Sequence, residues 1–120
     1  MKRIMLGLCA FCLVLSVLSI TALADEIAVK VSPNAIVIES DGAWVTVHTD
    51  IALSAVDTST LTLNGVEVAW TKADAKGNLV AKFTQADIKP IIAPPEATLE
   101  LAGMTKAGVE FSGSDTVLVK

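Results

Sequence analysis

From position 27 onward, apolar and polar residues alternate in short runs broken by turn dipeptides, and a period of two marks half-buried strands. Ile36 and Ile38 precede Ser40-Asp41-Gly42-Ala43, after which Val45 and Val47 resume. With Asp41-Gly42 as a two-residue turn, Ile38 opposes Val45, Ile36 opposes Val47, and all four share one face. A second hairpin centres on Asn64-Gly65, the pair best suited to the positive φ of a type I′ turn. Leu63 then opposes Val66 and Leu61 opposes Val68, with Thr62 and Glu67 on the wet face. The same parity, carried two residues past Val68, sends Trp70 inward.

The pattern continues downstream. Leu79, Ala81 and Phe83 share a face, and Thr84-Gln85-Ala86-Asp87 has the form of a capping box, which predicts one helical turn over 84–89 bounded by Pro90. Pro94-Pro95 marks a connection before Ala97, Leu99 and Leu101, which alternate cleanly. The last strand holds Val109 and Phe111, then Ser112-Gly113-Ser114, where the glycine predicts a bulge or bend. About seven short strands with turn signals roughly every 8–12 residues predict an all-β fold, an immunoglobulin-like antiparallel β-sandwich.

The first 24 residues follow a different rule. Lys2 and Arg3 precede an apolar run over 4–20, interrupted only by Gly7, Ser16 and Ser19, and Ala22-Leu23-Ala24 stands before Asp25-Glu26. A basic start, an apolar middle and an A-x-A site define a secretory signal peptide cut after Ala24. The competing reading, a retained anchor, needs about 20 apolar residues, slightly more than this run supplies. Cys9 and Cys12 lie deep in the run with no small residue before them, which argues against lipidation. Both cysteines depart with the leader, so the domain expected over 25–120 has no disulfide and stands on its hydrophobic core. Its expected location is periplasmic or secreted.

Charge narrows the partners. Without Lys2 and Arg3, seven basic side chains face thirteen acidic ones, a net charge of −6 for residues 25–120. An acidic domain repels phosphate backbones and anionic lipid, so neither nucleic-acid binding nor membrane insertion after cleavage is expected.

Four segments carry a more specific likeness. Val56-Asp57-Thr58-Ser59-Thr60-Leu61-Thr62-Leu63-Asn64-Gly65, Val80-Ala81-Lys82-Phe83, Ala97-Thr98-Leu99-Glu100-Leu101-Ala102-Gly103 and Gly108-Val109-Glu110-Phe111-Ser112-Gly113-Ser114-Asp115-Thr116-Val117 follow in that order. The series resembles small immunoglobulin-like sandwich modules of exported bacterial and archaeal surface proteins, whose closing strand often reads G-x-x-F-x-G-S-D-x-[IV]. The resemblance spans roughly positions 50–119. It implies a spacer or binding unit, yet here one module follows the leader directly.

Catalytic chemistry finds little material. His48 is the only histidine, placed by Trp44-Val45-Thr46-Val47-His48 on the face opposite Val45 and Val47. A triad needs a nucleophile and a carboxylate on either side of such a ring, and no G-x-S-x-G elbow occurs. One imidazole without thiolates does not build a tetrahedral zinc site. No enzyme activity, cofactor or metal site is therefore expected. Calcium is the cation the loops could take, through Asp41, Asp50, Asp57, Asp74 or Asp115, although turn aspartates chiefly cap backbone amides. Thirteen acids also make chance carboxylate pairs inevitable, so pairing alone does not indicate glycoside hydrolysis.

What remains is surface. Trp44, Thr46 and His48 form the candidate binding face, and the free edges of a sandwich offer a second route to a partner strand. The expected function is non-catalytic: protein–protein interaction with an envelope or extracellular protein, or structural support at the cell envelope. A ligand module for calcium or surface glycan is the alternative.

Overall fold

The structure is a computed structural model describing residues 25–120, and the leader expected over 1–24 lies outside the described residues. The alternation becomes ten strands: β1 Asp25–Glu26, β2 Val29–Ser32, β3 Ala35–Ile36, β4 Trp44–Ala52, β5 Val56–Leu63, β6 Val66–Glu67, β7 Trp70–Ala73, β8 Asn78–Thr84, β9 Glu96–Thr105 and β10 Glu110–Val119. β1, β3 and β6 are two-residue pieces, and the remaining seven match the expected strand count. One sheet of six strands runs β1-β10-β9-β5-β6, with β3 also paired to β10, and one of four runs β2-β4-β8-β7. β1 and β3 lie parallel to β10, and every other pairing is antiparallel.

The two sheets bury one core between them. Val45, Val47, Leu79 and Phe83 of the smaller sheet join Leu61, Leu63, Leu99, Leu101 and Phe111 of the larger in a single cluster. Burying each such side chain contributes about 1.5–3 kcal/mol, and this is the principal term holding together a domain with no cysteine of its own. The result is a two-sheet β-sandwich. Among the described residues, no helix is long and apolar enough to cross a membrane.

The Asn64-Gly65 hairpin forms as the sequence predicts. Leu63 pairs with Val66 and Thr62 with Glu67, while Asn64 and Gly65 take φ of 48° and 85°. Asn64 does more than turn the chain. Its side-chain oxygen accepts from the Glu100 amide at 2.7 Å, and its amide group donates to the Thr98 carbonyl at 3.1 Å, tying the hairpin tip to β9.

The Asp41-Gly42 hairpin does not form. Ile36 pairs with Val119 in the larger sheet, whereas Val45 and Val47 lie between β2 and β8 in the smaller one. Segment 37–43 thus crosses the sandwich, and Ile36 meets the valines through the core rather than across a hairpin. Alternation identifies which side chains go inward but not which sheet receives them. Gly42 is absent from the positive-φ residues and instead marks a close approach, where a Cβ would meet the Gln85 side-chain nitrogen at 2.6 Å.

Two smaller expectations also change. No bulge occurs at Gly113, which pairs with Leu101 in unbroken register. A Cβ there would strike the Ile27 carbonyl oxygen and come within 2.6 Å of the Val29 side chain, so the glycine makes room for the crossing β1–β2 segment. The register shift falls instead at β9, between Ala102 and Met104. Half of the capping box forms: the Thr84 hydroxyl accepts from the Asp87 amide at 3.3 Å at the head of helix α1, Gln85–Ile88. Pro90 does not end it: a 3₁₀ turn continues over Lys89–Ile91, with the proline in its first turn, where no N–H is required.

Candidate functional site

β4 and β8 are the inner strands of the four-stranded sheet, and every second residue points away from the core. Register sets these outward residues in rows. Ser32, Thr46, Lys82 and Trp70 form one row, and Lys30, His48, Val80 and Lys72 form the next. Trp44 pairs with Thr84 one step beyond the first row.

The tryptophans close this face at one corner. Trp44 is 39% exposed and Trp70 42%, and their rings meet edge to face at a centroid separation of 6.0 Å and an interplanar angle of 90°. That geometry suits the negative faces and positive edges of aromatic rings. Lys82 places its ammonium 5.5 Å from the Trp70 ring centroid, a cation–π contact. Val80 is 1% exposed despite pointing outward, and it lies outside the main core cluster. His48 and Lys72 flank it in register, and amphipathic side chains of this kind cover apolar neighbours.

Trp44, Thr46 and His48 share the outer face that parity assigns them, with Trp44 and His48 exposed and Thr46 half-buried. Trp70 does not enter the core. The Val68 amide donates to the Leu61 carbonyl in the larger sheet, and the next amide, Ala69, donates to the Lys82 carbonyl in the smaller one. Parity restarts at that peptide, which turns Trp70 outward beside Trp44. Lys30, Lys72 and Lys82 also belong to this surface, and alternation points to two of them: Lys30 stands between Val29 and Val31, and Lys82 between Ala81 and Phe83. Lys82 sits on an inner strand, so it guards no sheet edge.

Charge divides between the sheets. The strands of the smaller sheet carry Lys30, Lys72, Lys82 and His48 against one carboxylate, Asp50. In the larger sheet, β9 carries Glu96 and Glu100, β10 carries Glu110 and Asp115, β5 and β6 carry Asp57 and Glu67, and β1 is itself Asp25–Glu26. No lysine, arginine or histidine occurs in any strand of that sheet.

No protein family, curated protein or solved structure matches this chain. Its own geometry is therefore what bears on its chemistry.

At the β2–β4 border, Ala28, Val29, Lys30, His48, Thr49 and Asp50 line an open depression of about 240 Å³. Two of its polar side chains are already engaged: the Thr49 hydroxyl donates to the Leu79 carbonyl at 2.8 Å, and Asp50 accepts from the Ala28 amide at 3.1 Å. Three of the other candidate carboxylates, two of them within strands, act in the same way. Asp57 accepts from the Ser59 amide at 3.2 Å, and Asp115 from the Val31 amide at 2.9 Å. Asp74 accepts from the Asn78 and Lys76 amides at 2.9 and 2.8 Å, bonds that hold its carboxyl below the usual range, with smaller help from the charges of Lys76 and His48. Among the described residues, no three metal-ligating side chains converge. What the surface offers is an aromatic and cationic face.

Proposed function

We propose that this protein is an exported, non-catalytic immunoglobulin-like module that docks another protein at the cell envelope through the outer face of its four-stranded sheet. The observation that carries this reading is the exposed Trp44–Trp70 pair on that face. Tryptophan dominates binding hot spots because it desolvates a large area at little conformational cost. A protein suits the site better than a glycan, since the Lys82 ammonium already lies over the Trp70 ring on which a sugar would stack.

Strand order supports the immunoglobulin-like assignment. β2-β4-β8-β7 facing β10-β9-β5-β6 has the order of sheets ABED and GFC, extended by a C′ strand. Export rests on the leader at 1–24 and predicts a purified product beginning at Asp25; N-terminal sequencing that returns Met1 would overturn it.

Docking is tested by crosslinking in cells that express the full chain. Trp44→Ala and Trp70→Ala should each remove the crosslinked adduct, whereas Ile91→Ala, an exposed site on the 3₁₀ turn outside both sheets, should retain it. An adduct indifferent to both tryptophans would remove this face as the docking surface.

A further inference from the structure

We propose that the partner of the aromatic, basic face is the acidic outer face of a second copy of this chain, so that copies join head to tail. The inference rests on the docking reading above and names its occupant.

Charge complementarity is the first argument. On the smaller sheet, Lys30 and Lys72 point outward and are exposed, with Lys82 beside Trp70. On the larger sheet, Glu67, Glu96, Glu100 and Glu110 are all exposed and outward, and no strand there carries a positive side chain. Opposite potentials steer encounter and fix register, while like charges brought together are penalised.

Matching footprint is the second. β4, central to the basic face, has nine residues, and β9 and β10, central to the acidic face, have ten each. At the usual rise per residue these strands run about 30 Å, so one face can cover the other. Small hydroxyl side chains fill much of the acidic face: Thr62, Ser112, Ser114 and Thr116 lie between the glutamates, the Thr98 and Thr116 hydroxyls bond each other at 3.1 Å, and Leu118 stands exposed opposite Glu96.

The contact joins two different patches, so it is heterologous. Unless rotation closes a ring, such contacts repeat into an open stack. A stack of modules is the structural support that a lone module cannot provide.

The test is sedimentation velocity on the product purified from cells expressing the full chain, over a range of concentrations at low and high salt. Average size should climb with concentration at low salt without halting at a dimer, and should fall at high salt. Lys72→Glu and Glu100→Lys, both at exposed positions, should each weaken association by about tenfold or more. Mixing the two variants should restore complexes, because the first keeps an intact acidic face and the second an intact basic one.

A monomer at every concentration in low salt overturns the proposal. Association that Lys72→Glu removes and Glu100→Lys leaves untouched also overturns it, pointing to basic faces joined symmetrically. A monomer that still gives a Trp70-dependent adduct with a different protein defeats self-association alone and leaves the docking reading in place. Loss of both defeats both.

Discussion

Trp70 meets Trp44 edge to face at 6.0 Å although one stands on β7 and the other on β4, with β8 between them. The pair therefore bridges over Thr84 and Lys82 and braces the outer surface of the sheet. A double-mutant cycle of Trp44→Ala and Trp70→Ala in urea unfolding should yield a coupling of about 0.5–1.5 kcal/mol. Lys82→Met, which keeps the stem and removes the charge, should cost about 0.5–1 kcal/mol. Additive single losses would mean that the rings are neighbours without being energetically linked.

Gly113→Ala should destabilise the domain by about 1–3 kcal/mol, the range for forcing an extra carbon into a packed interior. The obstacle is partly backbone, the Ile27 carbonyl, and partly the Val29 methyl. Adding Val29→Ala should accordingly recover a fraction of the loss and no more. Complete recovery would show that the backbone yields freely.

Asn64→Ala removes the bonds to Glu100 and Thr98 and places a poor residue at φ 48°. A loss of about 1–3 kcal/mol is expected in chemical denaturation. Asn64→Gly separates the two causes, because glycine accepts that φ but makes neither bond. Wild-type stability in the glycine variant would assign the whole effect to conformation.

Asp74 sets a pH dependence. Its folded-state pKa lies below the ordinary 3.8 because the Asn78 and Lys76 amides bond the charged form. The folded protein thus prefers the carboxylate, and the associated stability is full above 3.8 and disappears as pH falls through the lower folded value. Thermal melts should show Asp74→Ala less stable than wild type at neutral pH. The gap should narrow in strong acid, and a gap constant across that range would rule out the carboxylate as its source.

The sequence made visible which residues face inward, and it located the one turn whose chemistry leaves no choice. Asn64-Gly65 demands positive φ at both positions, so that hairpin and its register follow from composition alone. Leu79, Ala81 and Phe83 share the inward face the pattern assigns them and are all buried, although apolar Val80 between them is buried too, on the opposite face. Partnership between sheets was less visible. Ile36 and Val47 are both core residues whether they pair across a hairpin or meet across a sandwich, and periodicity is identical in the two cases. Trp70 departs from parity for a related reason: Val68 and Ala69, which precede it, hydrogen-bond into different sheets, so the alternation restarts between them. Half of the aromatic pair thus stayed hidden.

The separation of charge between the sheets alters what the net value of −6 over residues 25–120 means. At physiological ionic strength a charge is felt over about 8 Å. Stacked sheets lie about 10 Å apart, and their outward side chains lie farther still. Through solvent, each surface is therefore largely screened from the other. Electrophoresis of the whole molecule would report an anion, while anything touching the tryptophan side would encounter a cation.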